Sequence, residues 1–241
     1  HKIPKREFQM DKQSIQRDIL IPSINKTIKT YQYGNSPKKI LLVHGWSGRG
    51  TQLVKIADKL IEMGYATVSF DAPAHGKSKG NSSIMTEFIA SIIVLEKQYG
   101  PFEFAIGHSL GGMAIINAIK QNLNVKKAVI IGSGDLIQDI ITDFIRNLGL
   151  KPQIGDRMRE HFEKKFGESM NNYSTSVVAK NIETPVFIIH DEDDSDVNVK
   201  CAHNIHNHLK NSKLMITKKL GHRKILGNEK VIEEIIAFIR S

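Results

Sequence analysis

One serine stands in a sequence context that favours nucleophilic chemistry. Ser109 lies at the centre of a Gly-His-Ser-Leu-Gly pentapeptide, residues 107–111, between an apolar run and a stretch with helical periodicity. A sharp turn from strand to helix exposes a serine at this place, and the flanking glycines let the two backbones pass closely. A serine hydroxyl attacks a carbonyl readily only when a neighbouring imidazole removes its proton. The pentapeptide therefore predicts serine-dependent acyl transfer.

The base and the acid that this serine needs should follow it along the chain, the acid first. An acidic loop, residues 191–196, comes directly after a predicted strand. His222 comes later, after another predicted strand and before the last predicted helix. We therefore predict His222 as the general base, oriented by one carboxylate of the acidic loop.

Acyl transfer also needs two backbone amides that stabilise the negatively charged oxygen of the intermediate. The residue after the nucleophile, Leu110, supplies one of them. The second is expected from His44-Gly45-Trp46-Ser47-Gly48, which follows a predicted strand. Trp46 is the favoured donor, and its indole would form a wall of the pocket. A turn that needs glycine only for its geometry is the alternative explanation of this segment.

The elements around these residues predict a single α/β domain over residues 1–241. Two antiparallel strands with alternating polar and apolar residues are expected first. Apolar strands buried on both faces follow, separated by amphipathic helices. This order is typical of a three-layer sandwich with a mostly parallel sheet. The predicted strands are 14–20, 27–33, 40–43, 66–70, 102–106, 125–131, 185–189 and 213–217. The predicted helices between them are 51–63, 83–99, 109–122, 198–209 and 228–239.

One connection, residues 133–184, is much longer than the usual link between a strand and a helix. Its amphipathic stretches, 135–149 and 157–166, predict a small helical cap insert, and Asp135 and Gln138 have the spacing of a capping box. Apolar side chains of this insert and of the catalytic loops suggest a substrate with an apolar part of modest size. The candidate substrate-binding residues are Trp46, His108, Met113, Ile137, Ile141 and Phe144, with Phe162 as a further insert candidate.

The formal net charge of +9 is concentrated at the N-terminus. Residues 1–39 carry nine basic and three acidic side chains, whereas the remainder is nearly neutral. No basic stripe interleaved with aromatic residues is present, so no nucleic-acid partner is expected. One cysteine, Cys201, forms no internal disulfide, and neither a signal-peptide core nor an apolar run long enough for stable membrane insertion occurs. We therefore expect a cytoplasmic protein.

The motifs together resemble those of the α/β-hydrolase superfamily over residues 14–240. The matching segments are His44-Gly45, Asp-Ala-Pro-Ala-His-Gly-Lys-Ser at 71–78, Gly-His-Ser-Leu-Gly-Gly at 107–112, residues 190–197 and Gly221-His222. The resemblance implies Ser109 as nucleophile, His222 as base and Asp194 as acid. The chain has Asp191 where many members have glycine, and Asp193 and Asp196 remain rival acids. Among subgroups, the chain is similar to small bacterial-type hydrolases with His-Gly-Trp and Pro-Ala-His-Gly motifs.

The resulting hypothesis is a serine hydrolase that cleaves a small-molecule carboxylic ester through an acyl-enzyme. No cofactor and no metal are expected for this chemistry. The alternatives within the same fold are a thioesterase, a C–C hydrolase, a peptidase or an acyltransferase. A non-catalytic binding member of the fold is a further alternative. The chain is expected to be a monomer or a homodimer.

Overall fold

The computed structural model describes residues 3–241, so the first two residues of the predicted domain, His1 and Lys2, lie outside the described residues. Eight strands form one sheet. They are β1 (Ile15–Ile21), β2 (Lys26–Tyr33), β3 (Lys39–Val43), β4 (Ala66–Asp71), β5 (Phe102–His108), β6 (Lys127–Ile131), β7 (Val186–Asp191) and β8 (Ser212–Thr217). Their order across the sheet is β1-β2-β4-β3-β5-β6-β7-β8.

The pairing of the strands follows their hydrophobic patterns. The pairs β1–β2 and β2–β4 are antiparallel, whereas every pair from β4 to β8 is parallel. All six residues of β4 and all six of β7 are buried, as expected for parallel strands covered by helices on both faces. The predicted fold class, a mostly parallel sheet between layers of helices, is confirmed.

Helices cover both faces of this sheet. They are α1 (Lys5–Gln13), α2 (Val54–Glu62), α3 (Met85–Tyr99), α4 (Leu110–Lys120), α5 (Ile137–Asn147), α6 (Gln153–Phe166), α7 (Thr175–Ala179), α8 (Lys200–His208), α9 (Gly221–Lys224) and α10 (Glu229–Arg240). Apolar residues of α3, α4, α7 and α8 pack on one face, and those of α1, α2 and α10 pack on the other. Among residues 3–241, no helix has both the length and the apolar composition needed to cross a membrane.

The long connection between β6 and β7 contains α5, α6 and α7. The predicted capping box is wrong, because α5 begins at Ile137 and its N-cap residue, Leu136, has no side-chain cap. Asp135 instead accepts a 2.8 Å hydrogen bond from the Ser176 amide and another from the Asn204 side chain. The Asp135 carboxylate thus connects the start of this segment to α7 and α8. It makes these two hydrogen bonds in place of the predicted capping contact with α5.

Candidate active site

The turn between β5 and α4 holds Ser109 in an unusual backbone conformation, with φ 53° and ψ −120°. Non-glycine residues rarely adopt such angles, and the surrounding structure must compensate for the strain. The Ser109 amide donates a 2.9 Å hydrogen bond to the carbonyl of Ile131 on β6. A Cβ on Gly107 would lie 2.6 Å from the carbonyl carbon of Gly111, and one on Gly111 would collide with the Val43 carbonyl. The two glycines are therefore needed for the turn to close.

Asp194 and His222 form the most direct polar contact of the site. The His222 Nδ1–H donates a 2.7 Å hydrogen bond to Asp194 Oδ2. The other carboxylate oxygen accepts from the amides of Asp196, at 2.8 Å, and Val197, at 2.9 Å. Burial raises the pKa of Asp194, but the hydrogen bonds from His190, His222 and the Val197 amide outweigh it and hold that pKa well below its usual range. The carboxylate is therefore ionised beside the imidazole.

The other acidic residues of the loop have different partners. Asp196 is exposed, and Asp193 accepts a 2.9 Å hydrogen bond from the Lys219 amide. Asp191, at the end of β7, is fully buried and accepts from the Gly221 amide at 2.9 Å and the Leu220 amide at 3.1 Å. Asp194 is thus the carboxylate that lies beside His222, whereas Asp191 shapes the loop that carries this histidine.

Two further histidines pack around the pair. The His108 Nε2–H donates a 2.8 Å hydrogen bond to the His222 backbone carbonyl, and the two rings are 4.5 Å apart. Burial, followed by the proximity of His222, lowers the pKa of His108 to about 3, so its imidazole is neutral. His190 donates from Nε2 to the Val197 carbonyl at 2.9 Å, and the same nitrogen lies 3.4 Å from Asp194 Oδ2.

Ser109 and His222 lie at the same edge of the sheet without a hydrogen bond between their side chains. Within residues 3–241, neither Ser109 Oγ nor His222 Nε2 has a hydrogen-bond partner. Catalytic hydrogen bonds often tighten only when substrate binds. The unpaired Nε2 is the nitrogen that a general base at this position would use.

The loop after β3 leaves one amide unpaired beside Ser109. Gly45 packs against Ser109, since a Cβ on this glycine would lie 2.8 Å from Ser109 Cβ. The Gly45 amide donates to Gln52 Oε1 at 3.2 Å, and the Ser47 amide donates to His75 Nε2 at 3.2 Å. In the described chain the Trp46 amide between them has no acceptor. The Leu110 amide, at the first position of α4, has no intrahelical acceptor either.

The candidate substrate-binding residues occupy different environments. Trp46 is 55% exposed and His108 is buried behind His222. Met113 is buried one turn into α4, where its sulfur packs under Gly134.

The other three candidates lie in α5. Ile137 is half-buried and Phe144 is exposed, whereas Ile141 is buried against Gly155 of α6. The structure therefore places Trp46, His108 and Met113 around the turn at Ser109 and Ile141 between α5 and α6.

Comparison with known proteins gives the family. The model of the alpha/beta hydrolase family matches residues 40–199, more than half of the chain. The chain belongs to the α/β-hydrolase family. No curated protein sequence matches this α/β-hydrolase.

Solved structures of similar fold have several different activities. An esterase from Exiguobacterium antarcticum is 17% identical, with a TM-score of 0.70 over 90% of this chain and 97% of that chain. A bromoperoxidase from Bacillus anthracis is 18% identical, with a TM-score of 0.71 over 94% and 99%. A proline iminopeptidase from Mycobacterium smegmatis is 14% identical, with a TM-score of 0.70 over 94% and 98%. At these identities the comparison shows the fold, and the reaction must come from the site.

Several polar residues of this α/β-hydrolase site have no assigned role in the sequence-based prediction. They are His44, His75, Asp191 and His190. Each lies at or just beyond the end of a strand within a segment that resembles the family, which is the signal that could have marked them. Their hydrogen-bond partners lie in other loops, and local spacing does not reveal such contacts.

Proposed function

We propose that this chain is a serine hydrolase that cleaves carboxylic esters through a covalent acyl-enzyme. The observation that carries this proposal is the 2.7 Å hydrogen bond between His222 Nδ1 and Asp194 Oδ2, which leaves Nε2 free. The family assignment and the strained turn at Ser109 support the same chemistry. A buried carboxylate, an imidazole and a serine on a sharp turn are the parts that acyl transfer requires.

In the proposed first step, His222 Nε2 accepts the proton of Ser109 Oγ while this oxygen attacks the ester carbonyl carbon. The Nδ1–H stays on the ring, where the ionised Asp194 stabilises the imidazolium that forms. The low pKa of Asp194 keeps its charge available for this role. The same imidazolium then donates its Nε2 proton to the departing alkoxide, so an alcohol leaves and an acyl-serine remains.

The negative charge that develops on the carbonyl oxygen needs donors already in place. We assign this role to the amides of Trp46 and Leu110, which have no acceptors of their own among residues 3–241. Removing one such donor typically costs about 10²–10³-fold in kcat. In the second step His222 Nε2 accepts a proton from water, whose oxygen attacks the acyl carbon. The bond from that carbon to Ser109 Oγ then breaks, the imidazolium returns its Nε2 proton to Ser109 Oγ, and the carboxylic acid leaves.

The proposed substrate has an apolar part that lies against Trp46 and Met113 beside Ser109. The exposed Trp46 indole offers a flat apolar wall next to the proposed oxyanion donor. We also include Ile137, the half-buried first residue of α5, among the proposed substrate contacts. His108, Ile141 and Phe144 are the remaining proposed substrate-binding residues. His108 would act indirectly, through its hydrogen bond to the His222 carbonyl.

Steady-state hydrolysis of p-nitrophenyl acetate, butyrate and octanoate tests the proposal, with Ser109→Ala as the inactive variant. We expect ester hydrolysis by the natural chain and loss of at least about 10³-fold in Ser109→Ala, since the nucleophile is removed. A panel of acyl thioesters and aminoacyl amides run alongside distinguishes the other reactions that the fold supports. Turnover of esters that is the same in Ser109→Ala would contradict the proposal.

A further inference from the structure

His75 joins two loops beside the candidate active site. It belongs to the segment 71–78, which begins at the last residue of β4, and it is 8% exposed. Its Nε2 accepts a 3.2 Å hydrogen bond from the Ser47 amide, and its Nδ1–H donates to the Pro73 carbonyl at 2.9 Å. The ring therefore connects its own loop to residues 44–48, the loop that carries the proposed oxyanion donor, here called the oxyanion loop.

A second histidine makes the reciprocal connection. His44, in the oxyanion loop, accepts a 3.1 Å hydrogen bond at Nε2 from the Ala72 amide, and its Nδ1–H donates to the Gly45 carbonyl at 2.7 Å. The His44 and His75 rings lie 5.1 Å apart, and Phe88 packs edge-on against both. Each loop thus donates one amide to the histidine of the other loop.

These contacts determine how the Trp46 amide points. The Gly45 carbonyl is held by the His44 ring and by the Gly48 amide, at 2.7 and 3.0 Å. A trans peptide is planar, so the N–H of Trp46 points away from that carbonyl. On the other side, the Ser47 amide is held by His75, and the Trp46 indole meets the His75 ring edge-to-face at 5.5 Å. Both peptides that flank Trp46 are therefore fixed.

Ser47 is the residue of this loop that most needs an external partner. Its φ of 56° lies in the left-handed region, which non-glycine residues adopt at an energetic cost. Without an acceptor for the Ser47 amide, the loop would lose the hydrogen bond that holds Ser47 in this conformation. A neutral imidazole supplies that acceptor, and a hydrocarbon ring of similar shape does not.

From this geometry we infer that His75 is a positioning residue, which holds the Ser47 amide and so keeps the Trp46 amide directed at the oxyanion. The inference rests on the proposed function, because it assigns the oxyanion role to Trp46. It adds a role for the Pro-Ala-His-Gly segment, whose residues do not contact the reacting atoms in the proposed mechanism.

The test compares His75→Phe, which keeps the aromatic packing but has no acceptor, with His75→Gln, whose side-chain oxygen reaches the Nε2 position. His203→Gln, on the exposed face of α8, is the matched control. For p-nitrophenyl butyrate we expect His75→Phe to lower kcat at least tenfold with KM changed less than threefold. His75→Gln and the control should stay within threefold of the natural chain in both constants. A trifluoromethyl ketone, which forms an oxyanion on Ser109, should bind His75→Phe at least tenfold more weakly.

Unchanged kcat and unchanged trifluoromethyl ketone affinity in a folded His75→Phe variant would overturn the inference, as would equal losses in the Phe and Gln variants. If His75→Phe fails to fold, His75→Asn replaces it, because its shorter amide reaches Pro73 but not Ser47 and the same kcat loss is expected. A natural chain that hydrolyses no ester contradicts the proposed function instead, so the two failures are distinguishable.

Discussion

The His108 imidazole donates a 2.8 Å hydrogen bond to the backbone carbonyl of His222, 114 positions further along the chain. The residue before the proposed nucleophile thus holds the proposed base directly. Because His108 is buried and its pKa is lowered to about 3, the ring next to His222 carries no competing positive charge at neutral pH. A hydrogen bond between the two loops therefore links the proposed base to the turn that carries the proposed nucleophile.

Two substitutions of His108 distinguish the effect of its hydrogen bond from the effect of its side-chain volume. His108→Phe keeps a ring of similar size but leaves the His222 carbonyl without its donor, which typically costs about 1–3 kcal/mol for a buried group. We expect a lower melting temperature and a loss of kcat of about tenfold. His108→Gln keeps a donor near the Nε2 position and should recover most of both. Equal losses in the two variants, by thermal unfolding and ester kinetics, would show that the hydrogen bond is not what matters.

Asp194 and Asp196 give a matched pair of carboxylates for testing the acid. Asp194→Asn removes the charge that stabilises the imidazolium, and we expect kcat to fall by about 10³–10⁴-fold. Asp196→Asn changes an exposed side chain that does not contact His222, and kcat should stay within threefold. Steady-state ester kinetics on both variants provides the measurement. Asp196 would be the acid if the order of the two losses were reversed.

Two buried neutral histidines predict a loss of stability in mild acid. Burial, as the main cause, lowers the pKa of both His44 and His108 to about 3, below the usual value of 6.5. Below pH 6.5 the unfolded chain takes up protons that the folded chain does not, so the free energy of unfolding decreases as the pH falls towards 3. Each group contributes up to about 1.4 kcal/mol per pH unit in that window.

Urea denaturation at pH 7, 6 and 5 measures this effect, with His108→Gln as the comparison. The variant lacks one of the two titrating rings, so its free energy of unfolding should fall less steeply between pH 6 and 5. Asp194 stays ionised from pH 7 to 5, because its pKa is lowered, so its titration does not contribute to the slope. A slope equal to that of the natural chain would contradict the role of His108 in the acid sensitivity.

Two helical glycines should respond oppositely to substitution by alanine. In Gly111→Ala the new Cβ would collide with the Val43 carbonyl, which is backbone and cannot move aside. We expect the free energy of unfolding to fall by about 1–3 kcal/mol or more, and ester hydrolysis to be lost with it. In Gly155→Ala the Cβ meets only the Ile141 and Ile145 side chains, at 3.3 and 3.6 Å, while helix propensity favours alanine by up to about 1 kcal/mol. Urea midpoints should therefore fall for the first variant alone.

The predicted strands agree with the structure because buried parallel strands have a strong and simple signal. The prediction of 102–106 corresponds to Phe102–His108, and 185–189 corresponds to Val186–Asp191. The helix α1 was not predicted. It buries only Met10 and Glu7, and an ion pair between Glu7 and Arg49 holds it against the rest of the chain. Such tertiary contacts leave almost no periodic pattern in the sequence.

In the candidate site, too, the sequence predicts the local segments but not the contacts between them. The order of Ser109, the acidic loop and His222 follows from the order of the strands that carry them, so the sequence was sufficient to predict these segments. The contacts of His44 and His75 depend on which loops meet at the edge of the sheet. Because β3 and β4 are neighbours in the sheet, their loops meet there, and only the structure shows which amide each ring accepts.

Covalent labelling by a fluorophosphonate, located by mass spectrometry, tests the central claim most directly. The probe reacts with a serine whose hydroxyl is activated by a neighbouring base. We predict one adduct per chain, on the peptide that contains Ser109, with none in Ser109→Ala and labelling at least about 100-fold slower in a folded His222→Ala variant. Absence of an adduct on the folded natural chain, or an adduct that persists in Ser109→Ala, would contradict the assignment of Ser109 as the nucleophile.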